Sequence, residues 1–299
     1  GVTNGGEPDP TIGTDAADQR VPFFWDNVAN ANTALGNSGG TFTTLRDQQG
    51  GFYSGSATHW GPEITFARTL SRAGVRDFAV VKASRGGGGN SNWHKASNGH
   101  MYTHVTNTVT LAQAALKADG HTSEVSGLLY LQGESDSASE ALIAGARFKE
   151  FIDNLRSDLI DATNLHAVIG GIAAGSARHD TVRAQQAAIA DSTSYINYFD
   201  SLDLQSQLHD GLHFNRAAKV TLGDRFAHAW LATSMVHRHY GKLVFIGDSI
   251  TQGGQGFPGY RYRVFTHLAT AGVPKDAATG YQFVGSLLGA YQNNDTPTT

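Results

Sequence analysis

Four short stretches carry residue types that could act together on a carbonyl. Gly247-Asp248-Ser249 ends the apolar run Leu243-Val244-Phe245-Ile246. A hydroxyl at the carboxyl end of a buried strand lies where open α/β sheets place ligands, and it becomes a nucleophile once a base reaches it. Asp210-Gly211-Leu212-His213 offers that base. His213 would take the serine proton and return it to the leaving group, and Asp210 would hold the other ring nitrogen. The remaining need is for donors to a developing oxyanion. The backbone N–H of Ser249, a backbone N–H at Gly86 or Gly87, and the side-chain amide of Gln132 could supply them. Each stretch also has a bland reading. Gly, Asp and Ser are ordinary turn formers, and Gly86 to Gly89 could be a plain surface loop.

The elements that would position these residues follow from hydrophobic period. Apolar runs at 78–82, 128–131, 167–172, 195–199, 243–246 and 281–284 read as strands. Helical patterns cover 102–118, 141–160, 181–190, 217–235 and 260–271, and Gly61-Pro62-Glu63 opens another with proline in its first turn. Residues 1–60 read as loop, with a short helix around 24–35. Alternating strands and helices predict a parallel sheet covered on both faces. The four chemical stretches then share its carboxyl edge.

Composition narrows the classes. The 299 residues hold 36 glycines and no cysteine, with a net charge of -4. Thiolate catalysis, disulfides and cysteine-ligated zinc are excluded, and nothing suggests a nucleic-acid partner. No apolar run is long enough to span a bilayer, and the first residues carry no signal-peptide pattern. His237 and His239 alternate as ligands on a strand might, but lack carboxylate partners, so no metal and no cofactor is expected. Glu134 and Asp136 read as loop structure or as partners for Arg85. Trp60 and Trp93 flank the active loops, either as a sugar-stacking wall or as core.

Residues 241–299 hold only strand, helix, strand, and ~60 residues of that form bury too little surface to stand alone. Residues 1–236 hold the acid–histidine pair and the glycine loop but no serine placed after a strand. Together they would make one circularly permuted domain spanning 1–299, since chain ends can move when the cuts fall in exposed loops.

Gly247-Asp248-Ser249-Ile250 with Thr251-Gln252-Gly253, and later Phe283-Val284-Gly285-Ser286, resemble the opening of an SGNH (GDSL-type) hydrolase. Residues 61–235 resemble the sialate O-acetylesterase and acetylxylan-esterase branch of that superfamily. The matching pieces are Gly61-Pro62-Glu63, Phe66-Ala67-Arg68, Gly86-Gly87 with Trp93, Leu131-Gln132-Gly133-Glu134-Ser135-Asp136, Val182-Arg183-Ala184-Gln185-Gln186, and Asp210-Gly211-Leu212-His213. The resemblance implies an α/β three-layer αβα sandwich with a central parallel sheet, and a cofactor-free serine esterase that removes acetyl groups from carbohydrate. Ser249 would be the nucleophile, His213 the base, Asp210 its orienter, and Gly86, Gly87 and Gln132 would complete the oxyanion hole. In those families the serine block comes first; here it comes last.

The leading expectation is a secreted deacetylase of acetylated xylan or a related saccharide, with Trp60 and Trp93 toward the sugar. An SGNH esterase for short-chain acyl esters or lipids is the near alternative, and a deep apolar acyl pocket would favour it. A non-catalytic carbohydrate-binding module is the alternative of a different class. The sequence does not set the oligomeric state.

Overall fold

The computed structural model describes residues 8–30, 33–48, 59–235, 241–244 and 281–284. Ser249, His237, His239 and the helix expected over 260–271 lie outside the described residues. The chain divides into two compact units, 1–230 and 231–299.

The first unit opens with α1 (Ala16–Arg20), capped by Asp15, whose side chain accepts from the Ala17 N–H. It leads into a hairpin of β1 (Pro22–Asn30) and β2 (Thr33–Asn37), followed by the short β3 (Thr43–Thr44). A helix was expected here, and the correction has a physical cause. β1 runs parallel to β4 (Val80–Ser84), in register from Phe23↔Val80 to Asn27↔Ser84. Strand geometry sends Phe23 and Trp25 to the same side, where they stack at 5.3 Å and join Trp60 and Ile64 in one apolar cluster. Between β3 and β4, α2 (Glu63–Arg72) follows Pro62. Arg68 on α2 grips the fully buried Asp18 of α1 through Nε (2.8 Å) and Nη2 (2.6 Å).

Next come α3 (His100–Ala118), β5 (Gly127–Tyr130), α4 (Ala138–Ala141), α5 (Ala144–Asp158), β6 (His166–Gly170), α6 (Ala177–Ser192), β7 (Ile196–Phe199) and α7 (Arg216–Met235). The single helix expected over 141–160 is interrupted at Leu142 and Ile143, which are exposed. β5, β6 and β7 form a parallel sheet in that order. Its faces follow the period of two. Ala167 and Ile169 join the cluster built on Phe148, Phe151 and Ile152 of α5. Gly170 faces the other way, so closely under Phe226 of α7 that a Cβ there would lie 2.7 Å from its ring. Helices α3, α5 and α6 contribute to the first face, and α7 packs with α2 beyond the second. The parallel strands thus form the middle layer of an αβα sandwich.

In the second unit, β8 (Gly241–Val244) and β9 (Tyr281–Val284) pair in parallel, from Gly241↔Tyr281 to Val244↔Val284, as a two-stranded sheet of their own. β9 coincides with the strand expected over 281–284, while β8 shares only Leu243 and Val244 with the strand expected over 243–246.

Candidate active site

The loops after β4, β5, β6 and β7 all leave the carboxyl edge of parallel strands. The loop after β7 folds back on itself through a bridge between Leu208 and Phe214. Phe214 is buried and clusters with Ala173, Leu204 and Ala218, against which Leu131 and Phe199 pack. That packing holds the preceding residue, His213, near the ends of β5, β6 and β7. Asn215 then caps α7, its side chain accepting from the Ala218 N–H.

Within this loop Asp210 and His213 form a close dyad. His213 Nδ1 lies 2.6 Å from Asp210 Oδ2, while Asp210 Oδ1 accepts from the backbone N–H groups of Leu212 (3.0 Å) and His213 (2.7 Å). Partial burial would raise the Asp210 pKa, but these bonds, led by the His213 side chain, outweigh it and hold the carboxyl well below the usual range. An ionised Asp210 can only accept. It therefore fixes the proton on His213 Nδ1 and leaves Nε2 as the atom that can take a proton. His209 stacks beside His213 at 5.9 Å. His209, Asp210 and His213 are close enough to share a metal ion. The short bond between Asp210 and His213 already engages two of those ligand atoms with each other.

The glycine loop is clamped from the β5 side. Gln132 is buried, accepts from Tyr130 Oη (2.8 Å), and donates through Nε2 to Asp136 Oδ1 (2.5 Å) and to the carbonyl of Gly88 (3.2 Å). Both amide hydrogens have acceptors, so Gln132 serves here as a strut between the β5 loop and the glycine loop. Asp136, 0% exposed, also accepts from the Asn90 backbone N–H (2.8 Å) and from Asn90 Nδ2 (2.9 Å). Glu140 ties in Ser91 N (3.0 Å) and, through a capping box, Ser137 N (2.8 Å). Burial would raise its pKa, yet the bonds from Ser91 and Ser137 bring it down to about 2. Gly133 makes the turn possible: its φ is +142°, and a Cβ would meet Val182 Cγ1 at 2.6 Å. The structure leaves Gly86 and Gly87 exposed on the crest of this clamped loop, with Gly87 at φ +71°.

Several expected roles change. Arg85 does not pair with Asp136 or Glu134; it contacts His100 Nδ1 (3.3 Å). Trp60 is 0% exposed, with the Lys219 ammonium 4.0 Å from its ring centre, so neither face is open to a sugar and its place is the core. Trp93 is half-buried and set edge-on to Tyr130 (5.6 Å) and Phe151 (5.4 Å), again as packing. Asn90 and Glu140 were missed, although Ser137-x-x-Glu140 is a readable capping box.

Removing the Asp136 carboxylate tests the clamp. Asp136→Ala strands the Gln132 and Asn90 donors, and a stranded buried donor costs ~1–3 kcal/mol. The expected loss is about 3 kcal/mol in urea unfolding. Burial also holds the Asp136 pKa above its ordinary value despite those three bonds. For a raised pKa, the stabilising contribution is complete below the unfolded value, near ~3.9, and is lost as pH rises through the folded one. Asp136→Asn should therefore flatten that part of the stability profile, read as urea midpoints across mildly acidic pH.

A parallel-stranded αβα sandwich with an Asp–His dyad and a clamped glycine loop at its carboxyl edge defines an α/β hydrolase of the SGNH kind. Residues 43–232 match the family described as carbohydrate esterase, sialic acid-specific acetylesterase. The chain belongs to this family and is an esterase that removes O-acetyl groups from carbohydrate. The matched residues include Gly86, Gln132, Asp210 and His213, and end before Ser249. No curated protein matches the chain. Among solved structures, an Arabidopsis thaliana protein determined at 1.6 Å shares the fold, with TM-score 0.50 and 23% identity, over 71% of this chain and 82% of that one. NanS aligns with TM-score 0.45 and 16% identity, over 73% and 89% respectively.

Proposed function

We propose that this protein is a secreted serine esterase that deacetylates a polysaccharide or oligosaccharide of the acetylated-xylan type. The observation that carries the reading is the Asp210–His213 pair, whose 2.6 Å bond leaves Nε2 as the working base. Ser249 is the proposed nucleophile, on the strength of its Gly-Asp-Ser block five residues after β8. His213 removes the Ser249 proton as Oγ attacks the acetyl carbonyl. Backbone N–H groups at Gly86 or Gly87 and at Ser249 meet the oxyanion, while Gln132 holds the glycine loop in place. The sugar hydroxyl leaves with the proton from His213. Water, deprotonated by the same imidazole, then releases acetate and restores Ser249. In this reading residues 1–299 form one circularly permuted domain.

A second reading is favoured by one observation: β8 pairs with β9 in a sheet of their own, within a separate compact unit. Ser249 would then serve a site of the second unit, and residues 1–230 would deacetylate with a nucleophile of their own. Both readings keep His213 as base.

The substrate assignment is tested by acetate release from acetylated xylan, with p-nitrophenyl acetate and butyrate measured alongside. Release from xylan is the expected result. Cleavage of the model esters with xylan untouched would remove the polysaccharide and leave the esterase.

A further inference from the structure

Among the described residues, one group of three side chains has the spacing of a metal site: His209, Asp210 and His213, with one ligand atom from each inside 4.8 Å of the others. The loop after β7 brings them together. Leu208 bridges Phe214, and the His209 N–H donates to the His213 carbonyl at 2.9 Å, so residues 209 and 213 face each other across the turn at Gly211. Their rings lie nearly parallel, with 21° between the planes. His209 Nε2 is 3.9 Å from Asp210 Oδ2, and His213 Nδ1 is 2.6 Å from the same oxygen. The three side chains are 33%, 39% and 28% exposed in that order, so a hydrated ion reaches all of them.

Two imidazoles and a carboxylate suit zinc, which accepts three protein ligands and keeps a fourth place for water. Ligand atoms ~2.1 Å from a tetrahedral zinc stand roughly 3.4 Å from one another. The two separations straddle that value, so an ion seats by opening one and closing the other, each by less than ~1 Å. Asp210 Oδ1 keeps its bonds from the Leu212 and His213 N–H groups, which leaves Oδ2 to turn to the metal. We propose that His209, Asp210 and His213 form an inhibitory zinc site that switches the esterase off reversibly. Zinc takes the lone pair of His213 Nδ1, and the single ring proton passes through solvent to Nε2. Nε2 then has no lone pair to receive the proton of a serine nucleophile. The imidazole is neutral before and after, Asp210 exchanges one hydrogen bond for the ion, and no net proton is gained or lost. Binding rests on the three ligands alone; inhibition rests on the proposed role of His213 as base.

Two measurements on the full chain, in metal-free buffer, test it. Titrating ZnCl2 into the p-nitrophenyl acetate assay should lower kcat by ~10²-fold or more, the share of a general base, with KM little changed and recovery on adding EDTA. MgCl2, whose ion prefers oxygen ligands in octahedral array, should have no effect. Calorimetry with ZnCl2 reads the site without catalysis. His209→Ala should keep the zinc-free kcat within about twofold, while raising the half-inhibitory zinc concentration and the calorimetric Kd by at least ~10-fold each. Absence of zinc binding would overturn the proposal. So would binding and inhibition unchanged in His209→Ala, since the ion would then sit among others of the 13 histidines. Zinc binding that His209→Ala weakens, with kcat undiminished at saturation, would leave a zinc site that does not inhibit, and would overturn both the switch and His213 as base. The same weakened binding with no ester cleaved at all would keep the zinc site and overturn the proposed catalytic function instead.

Discussion

His213→Ala is expected to lower kcat for p-nitrophenyl acetate by about 10³-fold or more, with KM little changed, because general acid–base assistance alone contributes ~10²–10⁴-fold. The imidazole is held at one nitrogen by Asp210 and has no other ionisable group positioned to replace it in its loop except His209, which stacks behind it. Partial recovery on adding imidazole to the His213→Ala protein would mark the loss as chemical rather than structural. Asp210→Asn retains an acceptor but loses the charge that stabilises the imidazolium, and a fall of about 10²-fold or more in kcat is expected. Since the Asp210 pKa is depressed, its ionisation adds no limb to the rate profile above pH ~4. The stability linked to that depression is present above the unfolded pKa and fades only as pH falls through the folded one. Both side chains are partly exposed, so solvent screening keeps the contribution small. An unchanged kcat in His213→Ala would remove the dyad from the mechanism.

The parts of the fold that were legible in the sequence are those governed by local pattern. β9 falls on Tyr281–Val284 as expected, and α3, α6 and α7 lie within a few residues of their apolar periods. The Asp210-x-x-His213 spacing was legible for the same reason: a turn with Gly211 at φ +79° brings the two side chains together without help from the rest of the chain. The failures came where distant residues decide. Residues 22–37 became a hairpin because β4, more than fifty residues on, offers β1 a parallel edge. Trp60 could not be assigned to wall or core until α7 laid Lys219 across its ring. Asp136 had an obvious cation in Arg85, but Asn90 reached it first with two donors. The amide of Gln132 was read as pointing at substrate; Gly88 and Asp136 occupy it.

Ser249→Ala separates the two proposed arrangements of the chemistry. If Ser249 and His213 belong to one catalytic set, the substitution should reduce acetate release by at least the ~10³-fold expected for His213→Ala. The double variant should then be scarcely worse than either single one, because residues that act as a unit are strongly non-additive. Such a result would support a permuted single domain, whose nucleophile block follows β8 at the end of the chain. If the second reading holds, Ser249→Ala leaves acetate release unchanged while His213→Ala abolishes it. A serine-directed fluorophosphonate then provides the decisive contrast. Under the first reading labelling at Ser249 depends on His213, since the imidazole generates the nucleophile. Under the second it is indifferent to His213→Ala. The physical basis is that a serine hydroxyl is a weak nucleophile near neutral pH until a base activates it, so the labelling reports directly whether Ser249 works with His213.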